Sequence, residues 1–162
     1  MDKYVNVPTS PPLALAIAHV GLTVSSLDKA LAFWCGVLGC QLVVRKDLGS
    51  GPAIDNIVGV QDAAIEIAVV VLPDGGRIEL LEYRSPHGGR VSELNSNDIG
   101  SSHLALRVQD LDATLLQVES AGWMRLGAPQ SLPVGRVVYV RGPEGHTIEF
   151  MQPPAAIDPP RG

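Results

Sequence analysis

An internal duplication constrains this chain more than any other feature of its sequence. The stretch Pro143-Glu144-Gly145-His146-Thr147-Ile148-Glu149-Phe150 is matched, 70 residues earlier, by Pro73-Asp74-Gly75-Gly76-Arg77-Ile78-Glu79-Leu80. Both copies read proline, acid, glycine, two variable residues, isoleucine, glutamate and an apolar residue. Upstream, Ala18-His19-Val20-Gly21-Leu22-Thr23-Val24 is echoed at an offset of 84 by Ser102-His103-Leu104-Ala105-Leu106-Arg107-Val108. The echo continues from Ser26-Leu27-Asp28-Lys29-Ala30 to Asp110-Leu111-Asp112-Ala113-Thr114. Each copy opens on a His-bearing strand and closes on a Glu-bearing strand, so two histidines and two glutamates at equivalent places point to one shared site.

A copy of about 70 residues buries only a marginal core alone, so the two are expected to fold together. Hydrophobic residues at 46% and charged residues at 18% place the chain among globular proteins. A net charge of −5 argues against a broad phosphate-binding surface and hence against nucleic acid as a partner. Cys35 and Cys40 form no Cys-x-x-Cys pair and read as core thiols of a reducing compartment. No apolar run is long enough to span a bilayer, and Met1-Asp2-Lys3-Tyr4 lacks a basic leader region. The expectation is a cytoplasmic protein with no membrane partner.

In chain order, residues 1–15 read as a proline-bearing arm and 16–152 as one domain of two modules, 16–84 and 101–152, followed by a proline-rich tail at 153–162. Ile17 to Val24 is strand-like. Leu27, Ala30, Leu31, Trp34 and Leu38 recur at helical spacing, with Gly39 as the stop. Gln41 to Lys46 is a strand, and Asp47 to Gly59, with three glycines and Pro52, reads as a loop. Ala63 to Leu72 and Arg77 to Tyr83 form a hairpin around Pro73-Asp74-Gly75-Gly76. The second module repeats the order: strand 102–108, helix 111–121, a short strand near 123–126, a loop at 127–135, and a hairpin of 136–141 with 146–151. Each half is therefore βαβββ, and the whole is an α+β fold with largely antiparallel pairing.

Strand alternation assigns the faces. His19, Gly21 and Thr23 share one side, as do His103, Ala105 and Arg107; Glu79 shares its side with Leu81 and Tyr83, and Glu149 with Met151. The helices must cover the opposite, apolar faces, so the histidines and glutamates point into whatever the sheets enclose. One strand histidine or one Ile-Glu-Leu glutamate would be an ordinary residue; four at matched positions of two copies are not. Carboxylates withdrawn from water call for a metal or a salt link. Imidazole nitrogen and carboxylate oxygen without thiolate suit one divalent ion of the Zn, Ni, Co, Mn or Fe(II) group. Four protein ligands leave a six-coordinate ion two positions for water or for a small-molecule substrate with neighbouring oxygens.

On these motifs, together with Phe33-Trp34-Cys35-Gly36-Val37-Leu38-Gly39, the chain resembles the vicinal oxygen chelate superfamily. That superfamily holds glyoxalase I, methylmalonyl-CoA epimerase, extradiol dioxygenases, and the bleomycin and fosfomycin resistance proteins. The resemblance covers about residues 16 to 152. It implies paired βαβββ modules forming a cupped mixed sheet around a metal, often in a homodimer. His19, Glu79, His103 and Glu149 match the four ligand places of the glyoxalase and epimerase branch. The implied chemistry is proton transfer next to a carbonyl through an enediolate stabilised by the metal, with Glu149 first and Glu79 second as the base, and with Arg107 and Tyr83 orienting substrate. Glu66 is a candidate for the second glutamate base of an epimerase. Two alternatives stay open: an Fe(II) ring-cleaving dioxygenase using His19, His103 and Glu149, and a non-catalytic binder of an antibiotic or metabolite.

Overall fold

The computed structural model describes residues 13–91 and 94–154; most of the expected N-terminal arm and proline-rich tail lies outside them. The first half runs β1 (Val20–Thr23), α1 (Leu27–Leu31) continuing into a π-helical turn (Ala32–Val37), β2 (Gln41–Ser50), α2 (Pro52–Val58), β3 (Ala64–Val71) and β4 (Arg77–Ser85). The second runs β5 (Leu104–Arg107), α3 (Leu111–Ser120), β6 (Met124–Arg125), β7 (Gln130–Leu132), β8 (Gly135–Arg141) and β9 (Thr147–Gln152).

Each half builds one sheet. The first has the order β1-β4-β3-β2 and the second β5-β9-β8-β6, with β7 also on β8. In both, the His-bearing strand lies parallel to the Glu-bearing strand, Gly21 opposite Glu79 and Ala105 opposite Glu149. All other pairings are antiparallel. This is the expected α+β arrangement of two mixed sheets.

The helices sit where alternation requires. Ser26 caps α1 by accepting from Lys29 N, and Asp110 caps α3 by accepting from Ala113 N, each worth about 1 kcal/mol. A second anchor also repeats. Leu27 N donates to Glu82 Oε2 at 2.7 Å, and Leu111 N donates to Gln152 Oε1 at 3.0 Å. Glu82 and Gln152 each stand three residues beyond the site glutamate, so the strand that carries the glutamate also holds the start of its helix.

Three features depart from expectation: the segment 127–135, read as a loop, contains β7 paired with β8, and the first half departs twice. The strand after Gly39 continues to Ser50 through register shifts between Leu42 and Val44 and between Asp47 and Gly49. The segment read as a loop then contains α2. Pro52 stands in its first turn, Gly59 ends it in the left-handed region at φ 67°, and Ile54 and Val58 pack on the cluster of Ala63, Ile65 and Ile67. This insertion explains why the repeat offset falls from 84 to 70 residues.

One core serves both halves. Ile78, Leu80, Ala68 and Val70 from the first sheet and Ile148, Phe150, Val138 and Val140 from the second belong to it, with both helices between. Its centre is the stack of Phe33 on Trp123, ring centroids 4.2 Å apart and planes 13° from parallel. A side chain at Gly142 would bring its Cβ to 2.8 Å from the Trp123 ring, so only glycine lets β8 end against the indole. The halves are also tied at their ends: Ser25 N donates to Glu144 Oε1 at 2.6 Å, and His146 Nε2 donates to Thr23 O at 2.9 Å. Among the described residues no helix is long and apolar enough to cross a membrane.

Candidate functional site

The polar side chains singled out by the duplication lie opposite the shared core, on the open face of each sheet. His19 immediately precedes β1 and His103 immediately precedes β5, which leaves each imidazole free of the ladder and aimed along it. His19 Nε2 lies 3.4 Å from Glu79 Oε2, and His103 Nε2 lies 3.3 Å from Glu149 Oε2. The imidazoles are nearly half exposed, at 46% and 41%, while the carboxylates are sheltered, at 21% and 18%. The structure therefore brings the four residues together as two pairs, one per sheet. Among the described residues no group of three or more metal-ligating side chains converges.

Each pair fits two positions of a divalent ion. Ligand bonds of about 2.0–2.2 Å place neighbouring donors roughly 3 Å apart, close to the separations here. The donors are two imidazole nitrogens and two carboxylate oxygens, a set that favours zinc, nickel, cobalt, manganese or iron(II) over softer ions. Neither pair alone completes a site.

The two half-sites differ in what stands beside the glutamate. Glu79 is paired across the ladder with Val69, and Glu149 with Tyr139. The Tyr139 ring leans on His103, centroids 4.7 Å apart, with its hydroxyl 3.2 Å from Nε2 and 3.4 Å from Nδ1. Burial, and then the negative charge of Glu149, pushes the Tyr139 phenol up, so it stays a neutral donor. Sequence reasoning passed over Tyr139. The signal was available, because a hairpin centred on Glu144 pairs Tyr139 with Glu149.

The other expected site residues are more peripheral. Tyr83 shares the Glu79 face but packs into the apolar cluster under α2. Arg107 is exposed at the end of β5, opposite Met151, beside a shallow groove of Val108, Gln109 and Gln152. Glu66 is excluded from the open face. It is in register with Glu82 on the α1 side, where Arg45 Nε donates to it at 2.9 Å and Arg84 donates to its other oxygen. Arg45 also bonds Asp28 on α1 at 2.7 Å. The hydrogen bond from Arg45 is the main reason that the Glu66 carboxyl is held below the usual range, and it fixes the residue as a structural ion pair.

The sequence and the fold are similar to those of known proteins. Residues 16–150 match the family described as the glyoxalase/bleomycin resistance protein/dioxygenase superfamily. The chain is 32% identical over 152 residues to a 2-epi-5-epi-valiolone epimerase of Actinomyces, covering 89% of this chain and 82% of that protein. It is 28% identical to a probable lactoylglutathione lyase of Synechocystis, over 84% of this chain and 94% of that one. A solved glyoxalase family protein from Bacillus cereus superposes with a TM-score of 0.77 at 27% identity, covering 91% of this chain and 98% of its own. The chain belongs to the glyoxalase/bleomycin resistance protein/dioxygenase superfamily.

Proposed function

We propose that this protein moves a proton on the carbon next to a carbonyl of a small molecule with two neighbouring oxygens, as an epimerase or a lyase of the glyoxalase type. The observation that carries this reading is the pair of His–Glu half-sites, alike to within 0.1 Å in their Nε2–Oε2 separation. His19, Glu79, His103 and Glu149 would together hold one divalent ion. Such an ion, when bound, supplies Lewis-acid polarisation of the substrate oxygens. The residues themselves do the rest. Glu149, sheltered and next to the neutral Tyr139 hydroxyl, is the base that takes the C–H proton on a carboxylate oxygen. Glu79 approaches from the other sheet, so a proton returned there inverts the carbon. A proton returned by Glu149 to the adjoining carbon instead completes an isomerisation. Arg107, exposed at the end of β5, is the orienting group.

Two outward-facing pairs become one site when a second copy of the chain lays its second sheet over the first sheet of its partner. The exposure of every residue of β2, among them Leu42, Val43, Val44 and Leu48, supports this homodimer, since a long apolar edge strand is a surface that proteins cover. The similarity to an epimerase and to a lyase agrees with the chemistry. The test is proton NMR in deuterated water with zinc(II) added and an α-hydroxyketone as substrate. The signal of the hydrogen next to the carbonyl is lost with wild-type protein. Loss slows by at least about 100-fold in Glu149→Gln, and wild-type rates in that variant would overturn the assignment.

A further inference from the structure

Beside His103 the protein carries a second feature that metal binding does not use. Ser96, Ser101, Ser102, His103, Tyr139 and Thr147, with Leu94, enclose a cavity of about 20 Å³, room for a single water-sized group. Its wall is built rather than incidental. Asn95 N donates to Asp98 Oδ2 at 2.6 Å, Ser101 N donates to Asp98 O at 3.0 Å, and Ser101 Oγ donates to Ser96 O at 3.1 Å. Arg141 Nη2 fastens the segment to β8 by donating to Leu94 O at 2.7 Å. The lining offers the hydroxyl-bearing side chains of three serines, a threonine and Tyr139 beside the His103 imidazole. An alcohol entering it meets both donors and acceptors.

The position of the Tyr139 hydroxyl matters here. An atom almost equally far from both ring nitrogens of His103 lies on the lone-pair axis of neither, because those axes diverge across the ring. The phenol therefore does not compete for the Nε2 lone pair, and its hydroxyl can serve a ligand while His103 holds an ion. The first half-site has no equivalent, since Val69 stands in the place of Tyr139.

We propose that this cavity is the subsite for one hydroxyl group of a polyhydroxylated ketone, with the Tyr139 hydroxyl as the contact that sets specificity. The assignment rests on the reading of the site as one for proton transfer beside a carbonyl, and the experiment separates the two. Full-length wild type, Tyr139→Phe and Ser102→Ala are compared with 2-hydroxycyclohexanone and 2,3,4,5-tetrahydroxycyclohexanone, which share the neighbouring oxygens and differ in remote hydroxyls. Binding is followed by calorimetry, and deuterium exchange gives kcat/KM. Wild type prefers the polyhydroxylated ketone. The preference falls about tenfold in Tyr139→Phe, the worth of one or two hydrogen bonds, and several-fold in Ser102→Ala. A general loss of structure lowers both ketones together and leaves their ratio intact, so an unchanged ratio in both variants overturns the subsite, as does a wild type without preference in binding. Absence of exchange in wild type, with the binding preference present and lost in Tyr139→Phe, sinks the proton-transfer reading and leaves the subsite standing.

Discussion

The sharpest consequence of the geometry concerns which chain supplies which ligand. His19 and Glu79 lie on one open face and His103 and Glu149 on the other, with the shared Phe33–Trp123 core behind both. If a second copy completes the site, each dimer holds two sites, each made of the first sheet of one chain and the second sheet of the other. His19→Ala damages both sites of its homodimer, and so does His103→Ala. In a dimer of one His19→Ala chain and one His103→Ala chain the injuries segregate: one site receives both, and the other receives neither. Isologous pairing makes this unavoidable, so the mixed dimer recovers about half of wild-type activity, and a randomly paired mixture about a quarter. Co-expressing the two variants with different tags, isolating the doubly tagged species and measuring deuterium exchange reads this directly. Light scattering should show a mass about twice the 17.1 kDa of one chain. A doubly tagged dimer as inactive as its parents, or a fully active monomer, would refute the arrangement.

Two further outcomes follow from the core and from the ion pairs. Phe33→Ala or Trp123→Ala should cost about 3–5 kcal/mol in urea denaturation, with both sheets lost in one transition because the stack joins them; a change below about 1 kcal/mol would show that the halves stand independently. The stabilisation that Glu66 receives from Arg45 has a definite pH dependence. Its carboxyl is held below the usual range when folded, so the contribution is complete above the unfolded value of about 4.3 and is lost as pH falls through the lower folded value. The stability gap between wild type and Glu66→Gln should therefore be open at neutral pH and close in acid, and a gap that widens on acidification would contradict the ion pair.

The site glutamates were legible because two periodicities coincide. Strand alternation places Glu79 and Glu149 opposite the apolar Ile78, Leu80, Ile148 and Phe150, and each of those four is buried as alternation requires. Trp34 was legible as a packing residue from its helical spacing, and it is buried. The relation between the halves was not legible. It depends on the contact of Phe33 with Trp123, and no local pattern in either copy specifies which face of a module meets the other. The helix α2 was hidden by composition: Gly49, Gly51, Pro52 and Gly59 suggest a loop, yet Pro52 and Gly59 are start and stop signals of a short helix whose Ile54 and Val58 find apolar partners only in the folded sheet.

Tyr139 shows a different kind of blindness, and it bears on how the duplicated module diverged. Comparing the copies draws attention to what they share, and the Tyr139 position holds Val69 in the other copy. Register would have found it, since both hairpins turn on the acid of Pro-acid-Gly and so pair the residue five before that acid with the glutamate five after it. That register position lies on the open face, where a change of side chain leaves the shared core intact. The His–Glu pair, by contrast, is tied to the core through Glu82 and Gln152, each on the same strand as a site glutamate and each holding a helix start. Duplication thus preserves the His–Glu pairing through the fold itself and leaves the neighbouring position free to specialise. Here it has become a neutral hydroxyl beside a polar cavity in one half and an apolar side chain in the other, so the two open faces are chemically distinct.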